Sequence, residues 1–151
     1  MSVKVVSTNR KAQHDYYLTD TYEAGMVLQG SEIKSIRAGQ ISIKEAYIQI
    51  EDQEAWLINA HIAPYEQASY LGHEPRRKRK LLLHRREIDR LWDAVRKKGL
   101  TIVPTRVYLK SGRAKIEIAI GRGKKQYDKR HDMAKSDAQR EMDRNLRRKD
   151  Y

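Results

Sequence analysis

A β-hairpin is predicted by the segment Ala46-Tyr-Ile-Gln-Ile-Glu-Asp-Gln-Glu-Ala-Trp-Leu-Ile58. Every second residue from Ala46 to Ile50 is apolar, which is the period-two pattern of a half-buried strand. The polar run Glu51–Glu54 supplies the turn, and a second strand is expected from Ala55 to about Ile62. Two short strands joined so tightly pair antiparallel, and they indicate a mainly β domain.

Three more strands are predicted on either side of this hairpin. They are Tyr16–Leu28, interrupted near Gly25, and the pair Thr101–Leu109 and Ala114–Ile120. Pro104 lacks an amide hydrogen, so its strand is expected at a sheet edge or with a bulge. The alternating isoleucines of the last strand are expected to face the core, and the strand pattern stops beyond residue 121.

Two helices are predicted between the strands. Ser31–Ala38 is a short helix with Ser31 as its N-cap, and Gly39 suits the position after its end, where a positive φ is needed. In His84–Lys98 the apolar residues recur at helical spacing, and Glu87 lies three residues after His84, as in a capping box. The polar segment 3–10 is expected to be a loose arm.

The order of elements suits a small antiparallel Greek-key barrel with flanking helices, of which the OB-fold is the common nucleic-acid-binding form. An α+β roll also fits, and periodicity alone does not choose between them. We expect a folded body over residues 1–121 and a separate basic C-terminal tail over residues 122–151.

Charge is distributed unevenly along the chain. Residues 1–75 contain 6 Lys and Arg against 10 Asp and Glu, whereas residues 76–151 contain 26 against 10, and the chain as a whole carries +12. A concentration of cations in one half predicts a polyanionic partner. The chain has no cysteine, which excludes disulfides and thiolate metal sites. With no secretory signal or membrane-spanning run, a cytoplasmic protein is expected.

The tail is a different kind of sequence. It holds 11 Lys and Arg against 6 Asp and Glu, and its apolar residues form one narrow stripe at i, i+4 spacing. Because isolated helices this weak are marginal in water, we expect the tail to be disordered when free and helical when bound. Tyr127 stands among charged residues with no core to join, and a base or a partner is its expected contact.

Two basic segments are candidates for contact with phosphate groups. The basic run Arg76–Lys80 predicts phosphate contact, which specifies no particular target. The segment Gly121–Lys125 lacks the spacing of a nucleotide-binding loop, so we interpret it as a hinge into the tail. The five histidines show no zinc-ligand spacing.

Several motifs together resemble the SsrA-binding protein (SmpB) family. The central one is Glu23-Ala-Gly-Met-Val-Leu-Gln-Gly-Ser-Glu-Ile-Lys-Ser-Ile-Arg-Ala-Gly39, similar to the family's E-x-G-I-x-L-x-G-x-E-V-K-S-x-R-x-G. Around it, in family order and over nearly the whole chain, stand Asn9-Arg-Lys-Ala12, His61-Ile-Ala-Pro-Tyr65, Arg79-Lys-Leu-Leu-Leu-His84 with Glu87-Ile88, and Gly123-Lys-Lys-Gln-Tyr-Asp-Lys-Arg130. Departures are Ile41-Ser-Ile-Lys-Glu-Ala-Tyr47, where the family often has N-L-x-D-S-Y, and Glu74 in place of the usual Asp.

The resemblance implies an OB-fold body that binds the tRNA-like domain of transfer-messenger RNA. It also implies delivery of that RNA to stalled ribosomes for rescue and peptide tagging (trans-translation). The tail would enter the empty mRNA channel of the small ribosomal subunit, with Tyr127 near the decoding centre. Such an adaptor is monomeric, does not bind a membrane, and requires no catalysis, metal or cofactor.

The expected contacts follow from the matching positions. The body contacts are Asn9, Arg10, Lys11, Glu32, Lys34, Arg37, Arg79, Lys80 and Lys124. The tail contacts are Lys125, Tyr127, Asp128, Lys129, Arg130, Arg140, Arg144, Arg147 and Arg148. Glu32 is either an acceptor for a base amino group, an orienting group for Lys34, or a structural hydrogen-bond acceptor. The heads of Arg79 and Lys80 are expected to reach solvent.

Two other functions remain open from the residues. The acidic residues Glu51, Asp52 and Glu54 fit a metal-dependent nuclease, although hairpin turns often collect such residues. An architectural ribosomal protein, permanently present in the particle, is the third possibility.

Overall fold

The predicted hairpin is present and forms part of a larger antiparallel sheet. The structure, a computed structural model, describes residues 3–64 and 73–124. Within these residues the strands are β1 (Val3–Thr8), β2 (Tyr16–Met26), β3 (Ile41–Ser42), β4 (Tyr47–Glu51), β5 (Glu54–Ile58), β6 (His61–Ile62), β7 (Arg79–Leu82), β8 (Thr101–Lys110) and β9 (Arg113–Gly123). The helices are α1 (Arg10–Asp15), α2 (Gly30–Arg37) and α3 (Arg85–Lys98).

Seven strands make one sheet in the order β1-β8-β9-β2-β7-β5-β4, and β3 pairs with β6 in a separate small sheet. Strand β4, at one end of the large sheet, lies against β8, which is next to the other end. The sheet therefore curls over on itself around the core, as in a barrel of the OB type. The prediction of a mainly β fold with flanking helices is confirmed.

The core lies inside this curled sheet. Its fully buried side chains include Leu57 of β5, Leu91 of α3 and the two isoleucines Ile116 and Ile118 of β9. Helix α3 contacts both β4 and β8, so it covers the place where the curled sheet closes. The inward direction of the β9 isoleucines is as the alternation predicted.

The β4–β5 hairpin closes through a two-residue turn. Asp52 and Gln53 have φ angles of 50° and 64°, the positive pair that a tight hairpin turn requires. The second strand is shorter than expected, because β5 ends at Ile58 and Asn59 adopts a left-handed φ of 65°. Ile62 then pairs with Ile41 in the small sheet. The prediction of one continuous strand from Ala55 to Ile62 is therefore wrong.

The N-terminal segment is not a loose arm. Strand β1 pairs antiparallel with β8, from Val3 opposite Lys110 to Thr8 opposite Arg106. Without β1, strand β8 would expose a row of unpaired backbone groups at the sheet edge. The segment has only three valines, and two of them, Val3 and Val5, are exposed, so its apolar residues show little strand periodicity.

Strand β8 contains the predicted bulge and is not an edge strand, since it pairs with both β1 and β9. The bulge lies between Pro104 and Arg106. It turns the Thr105 carbonyl toward the chain entering α1, where it accepts a hydrogen bond of 2.7 Å from the Asn9 amide. An irregularity that accommodates a proline thus also joins the first helix to the sheet.

Strand β9 runs further than its alternation predicted. Gly123 still pairs with Tyr16, and the Lys124 amide donates to the Asp15 carbonyl at 2.8 Å. The prediction that 121–123 form a hinge is wrong, because β2 is long enough to pair with all three residues. The division into body and tail at residue 121 remains a prediction.

The helix ends follow the predicted chemistry with one correction. Helix α2 is capped by Gln29, whose amide donates to the Glu32 carboxylate at 2.8 Å, rather than by Ser31. Ser31 bonds instead to His73 at 2.9 Å. Helix α3 begins after His84, whose amide donates to Glu87 at 3.0 Å, as the sequence predicted.

Candidate nucleic-acid interface

A buried ion pair lies beneath the basic run. The Arg79 Nε of β7 donates to Glu32 Oε2 of α2 at 2.6 Å, and both side chains are 0% exposed. Arg77 donates to the other carboxylate oxygen, also at 2.6 Å. Arg79 in addition donates to the carbonyls of Ala60 at 2.8 Å and Pro75 at 3.1 Å. The pair therefore joins α2, the end of the β5 segment and the basic run.

The electrostatics of this pair follow from its burial. Burial alone would raise the pKa of Glu32, but hydrogen bonds from Arg77, the Gln29 amide and Arg79 outweigh it and hold that pKa below its usual value. Burial lowers the pKa of Arg79, and Glu32 opposes that effect. Both groups stay charged at neutral pH, and the hydrogen bonds that they do not make to each other go to Arg77, the Gln29 backbone N–H and backbone carbonyls.

The prediction that the Arg79 head reaches solvent is wrong. Strand residues alternate between two faces, and β7 directs Arg79 and Leu81 inward while Leu82 points outward. Glu32 is 0% exposed, and its carboxylate accepts from Arg77, Arg79 and the Gln29 backbone N–H, which favours a structural hydrogen-bond acceptor among the three roles predicted for it. Through Arg79, the basic run is joined to Glu32 of α2 and to the Ala60 carbonyl.

Asn9 is also buried, at 2% exposure. Its side-chain oxygen accepts from the Ala12 amide at 3.1 Å and caps α1. Its Nδ2 donates to the carbonyls of Ile43 at 3.2 Å and Pro104 at 2.8 Å. Asn9 thus joins three segments through its side chain.

The other expected body contacts lie on the surface, but at separate places. They are Arg10, Lys11, Lys34, Arg37, Lys80 and Lys124. Lys11 pairs with Glu45 at 2.8 Å, and Arg37 donates to the Gly112 carbonyl at 3.4 Å in the β8–β9 turn. The Lys124 ammonium lies 5.0 Å from the Tyr17 ring centre, and the Arg122 guanidinium 5.1 Å from it. Of these six residues, Lys80 lines a cavity in the described part of the chain.

That cavity, of about 580 Å³, opens beside the short contact between β2 and β7. These two strands share only two register pairs, Gly25 with Leu82 and Met26 with Leu81. The walls come from β2, the β4–β5 turn, the start of β5, β7, β9 and the start of α3. Leu82 is 55% exposed there, with the ammonium groups of Lys80 and Lys115 on the same walls. A concave surface that combines an apolar side chain with cations suits a nucleotide.

A fixed carboxylate lies on the same wall. Glu23 accepts a hydrogen bond of 2.5 Å from the Tyr108 hydroxyl, and Lys110 lies 3.5 Å away. The Tyr108 hydrogen bond lowers the pKa of Glu23 below its usual value, with help from Lys110, against the smaller effect of burial. Burial first, and then Glu23, raises the pKa of Tyr108 well above its usual value. An ionised, oriented carboxylate can accept from the amino edge of a base.

Among the residues that line this cavity, the predicted contacts did not include Glu23, Leu82, His84 and Lys115. The signal that was available is the run Leu81-Leu82-Leu83 in a strand. A strand alternates between faces, so one leucine of such a run must point away from the core. Glu23 and Lys115 are brought to the cavity by the pairing of β2 with β9, whereas His84 follows β7 closely in the chain.

The acidic hairpin does not have the arrangement expected of a metal-dependent nuclease. Glu51 pairs with Lys78 at 2.7 Å and Glu54 pairs with Lys80 at 2.9 Å. Over residues 3–64 and 73–124, no group of three or more His, Cys, Asp or Glu is placed to hold a metal ion. In the same residues no helix is long and apolar enough to span a membrane.

Comparison with known proteins decides the family. The family model described as SmpB protein matches residues 6–148, which is nearly the whole chain. The chain belongs to the SmpB family.

Other SmpB-family members are similar over almost their full length. An SsrA-binding protein of Roseiflexus castenholzii is 58% identical over 145 residues, covering 95% of this chain and 92% of that protein. One from Desulforudis audaxviator is 53% identical over 146 residues, covering 97% and 95%. The family assignment predicted from the motifs is therefore confirmed.

A solved structure gives the same result for the SmpB fold. It is described as "tmRNA-SmpB: a journey to the center of the bacterial ribosome". The two chains are 46% identical, with a TM-score of 0.67, and the match covers 82% of this chain and 91% of that one.

The expected ribosome contacts of this SmpB chain lie outside the described residues. They are Lys125, Tyr127, Asp128, Lys129, Arg130, Arg140, Arg144, Arg147 and Arg148. The last described residue is Lys124, whose backbone N–H donates to the Asp15 carbonyl.

Proposed function

We propose that this chain binds transfer-messenger RNA and delivers it to stalled ribosomes for rescue and peptide tagging. Relatives 53–58% identical to it are named SsrA-binding protein. The similar solved structure is described as SmpB with transfer-messenger RNA in the bacterial ribosome. Ribosome rescue takes place in the cytoplasm, which is the expected location. The chain acts as a monomeric adaptor, without catalysis of its own.

The observation that carries the proposal for the body is the 580 Å³ cavity. Leu82 supplies apolar contact to an unstacked base, Lys80 and Lys115 attract phosphate, and Glu23 accepts from a base edge. Single-stranded loops of a folded RNA present these groups together, whereas a regular duplex keeps its bases stacked on one another and its major-groove edges in a deep, narrow groove. The cavity therefore suits a loop of the tRNA-like domain.

Further contacts of the body come from the surface cations that the sequence predicted: Arg10, Lys11, Lys34, Arg37, Lys80 and Lys124. They would meet phosphates around that loop and contribute affinity without sequence preference. Three of the predicted contacts, Asn9, Glu32 and Arg79, would support RNA binding indirectly, by positioning other residues. Each is buried, and each positions a segment that carries exposed cations.

The part of the tail that follows strand β9, residues 125–151, would enter the mRNA channel of the small subunit, which is open only when mRNA is missing. Its 9 Lys and Arg match a channel lined by RNA phosphate. Tyr127 would stack on a base near the decoding centre. Competition between tail and mRNA for one space is how the protein would recognise a stalled ribosome.

The cavity can be tested with matched exposed variants. Leu82→Ala and Lys115→Ala remove its apolar and cationic contacts, while Val3→Ala and Lys4→Ala remove an exposed valine and lysine from β1. Affinity for the isolated tRNA-like domain is measured by gel shift. Lys115→Ala should weaken binding about tenfold, since a charge-assisted hydrogen bond contributes about 1.5–3 kcal/mol. Leu82→Ala should also weaken binding, and both β1 variants should bind as the wild type does.

Equal affinity in all four variants would show that the cavity does not bind this RNA. Wild-type protein with no preference for transfer-messenger RNA over an unrelated folded RNA would contradict the proposed function itself.

A further inference from the structure

Trp92 is more exposed than its position predicts. It lies on the apolar stripe of α3 with Ile88 and Leu91, which are 9% and 0% exposed, yet 40% of Trp92 is exposed. The Arg96 guanidinium lies 4.8 Å from the centre of its ring. An indole presented at the surface with a cation over it has the arrangement of a stacking platform.

A groove of about 370 Å³ lies beside this ring, between α3 and the β4–β5 turn. Trp92, Ile88 and Ile50 form its apolar walls, and Arg85, Asp52 and Asp89 stand among its polar lining residues. It adjoins the larger cavity, because Ile88 and Arg85 line both.

We propose that this groove is a second RNA-binding site, which takes one unpaired nucleobase stacked on Trp92. The inference rests on the proposed function of RNA binding and adds a site to it. The groove carries carboxylates, so it repels phosphate and accepts N–H groups instead. Asp89 is paired with Arg85 at 3.3 Å. Asp52 forms no ion pair with any described residue and can accept both the N1 and the N2 hydrogens of guanine.

The surroundings of the groove select an RNA rather than a protein as its occupant. The α3 segment carries six Lys and Arg against three Asp and Glu. Arg86 and Arg90 follow one another at i, i+4 on its exposed side, and neither pairs with a described residue. They are placed to meet the phosphates on either side of a base that enters the groove. A polyanion with one splayed base matches this distribution of charge.

Tryptophan fluorescence gives a direct test. The chain has two tryptophans, so Trp56→Phe leaves Trp92 as the only one. The probe is a ten-nucleotide oligouridine with one central guanosine, compared with the same oligonucleotide made abasic at that position. The guanosine probe should quench Trp92 and bind about tenfold more tightly than the abasic probe, within the range for stacking of one base. Equal quenching or equal affinity of the two probes would overturn the proposal.

Three variants separate stacking from other effects. Trp92→Leu retains apolar cover but cannot stack, and it should bind the guanosine probe as weakly as the abasic one. Asp52→Asn should reduce the preference for guanosine over a central uridine. Tyr47→Ala removes another exposed aromatic, 44% exposed on β4, and should change nothing. Undiminished guanosine binding by Trp92→Leu would overturn the proposal.

The same variants distinguish this site from the proposed function. Binding of the tRNA-like domain is measured in parallel. If the wild type fails to prefer that RNA but still discriminates the guanosine probe, the groove stands and the proposed function fails. If it prefers that RNA but does not discriminate the probes, the proposed function stands and the groove is not a base site.

Discussion

Arg79 and Glu32, 47 residues apart in the chain, form an ion pair that is completely buried, with Nε and Oε2 2.6 Å apart. Arg79 lies in the middle of the most basic run of the sequence and was expected at the surface. Its guanidinium instead donates to Glu32 and to backbone carbonyls on two other segments. Cationic residues of this one run therefore have two different roles. Lys80 lies at the surface, whereas Arg79 lies in the interior.

Arg79→Ala should destabilise the protein by about 3–5 kcal/mol, because it leaves the Glu32 carboxylate buried with one partner fewer. Lys80→Ala, next in the chain, removes a half-exposed cation paired with Glu54 and should cost less than about 1 kcal/mol. Urea denaturation of both variants measures the difference. Equal stability of the two would mean that the buried pair contributes nothing.

The contribution of this pair should depend on pH. The folded-state pKa of Glu32 is lowered, so its stabilisation is fully present above the unfolded value of about 4.3 and is lost as the pH falls through the folded value. Unfolding free energies of the wild type and Glu32→Gln, measured from pH 7 to pH 3, should converge below about pH 4. A constant difference between the two proteins would contradict this.

Asn9→Ala should cost about 2–4 kcal/mol. It removes the cap of α1, worth about 0.5–2 kcal/mol, and leaves two buried carbonyls without their Nδ2 donor. Asn9→Asp keeps the cap acceptor but loses both donations, and it should recover only part of that loss. Arg10→Ala, at the exposed neighbouring position, is the control. Thermal unfolding followed by circular dichroism compares the three.

Deleting the residues after Lys125 should separate RNA binding from function. Strand β9 is complete at Gly123, and Lys124 is bonded to the Asp15 carbonyl, so the truncated body should fold and bind transfer-messenger RNA. Peptide tagging in a reconstituted translation reaction should be lost. Tyr127→Ala in the full chain should reduce tagging more than Lys129→Ala, since base stacking contributes about 1–3 kcal/mol.

Two outcomes would contradict this division. Loss of RNA affinity in the truncated protein would place the tail within the RNA site of the body. Undiminished tagging would show that the tail is not needed to recognise the empty channel.

Local patterns predicted most of the elements correctly. The alternation in Ala46–Ile50 and in β9 gave both strands, because the side chains of a strand point alternately to opposite faces. Helix α3 and its His84 cap were predicted from residues within three or four positions of one another. Strand β1 was missed because an edge strand with exposed valines has little periodic signal.

The sequence by itself determined the mainly β fold, the family and the basic half that faces a polyanion. It could not determine which polar residues are buried. The family motifs include the buried residues Asn9, Glu32 and Arg79 alongside exposed ones such as Arg10 and Lys80. A motif match therefore does not show which of its polar residues are buried. A charged or amide side chain can be buried only where partners satisfy its hydrogen bonds, and here those partners are up to 95 residues away. Only the tertiary structure brings them together, and it also forms the cavity between strands and the groove where α3 packs against the β4–β5 hairpin.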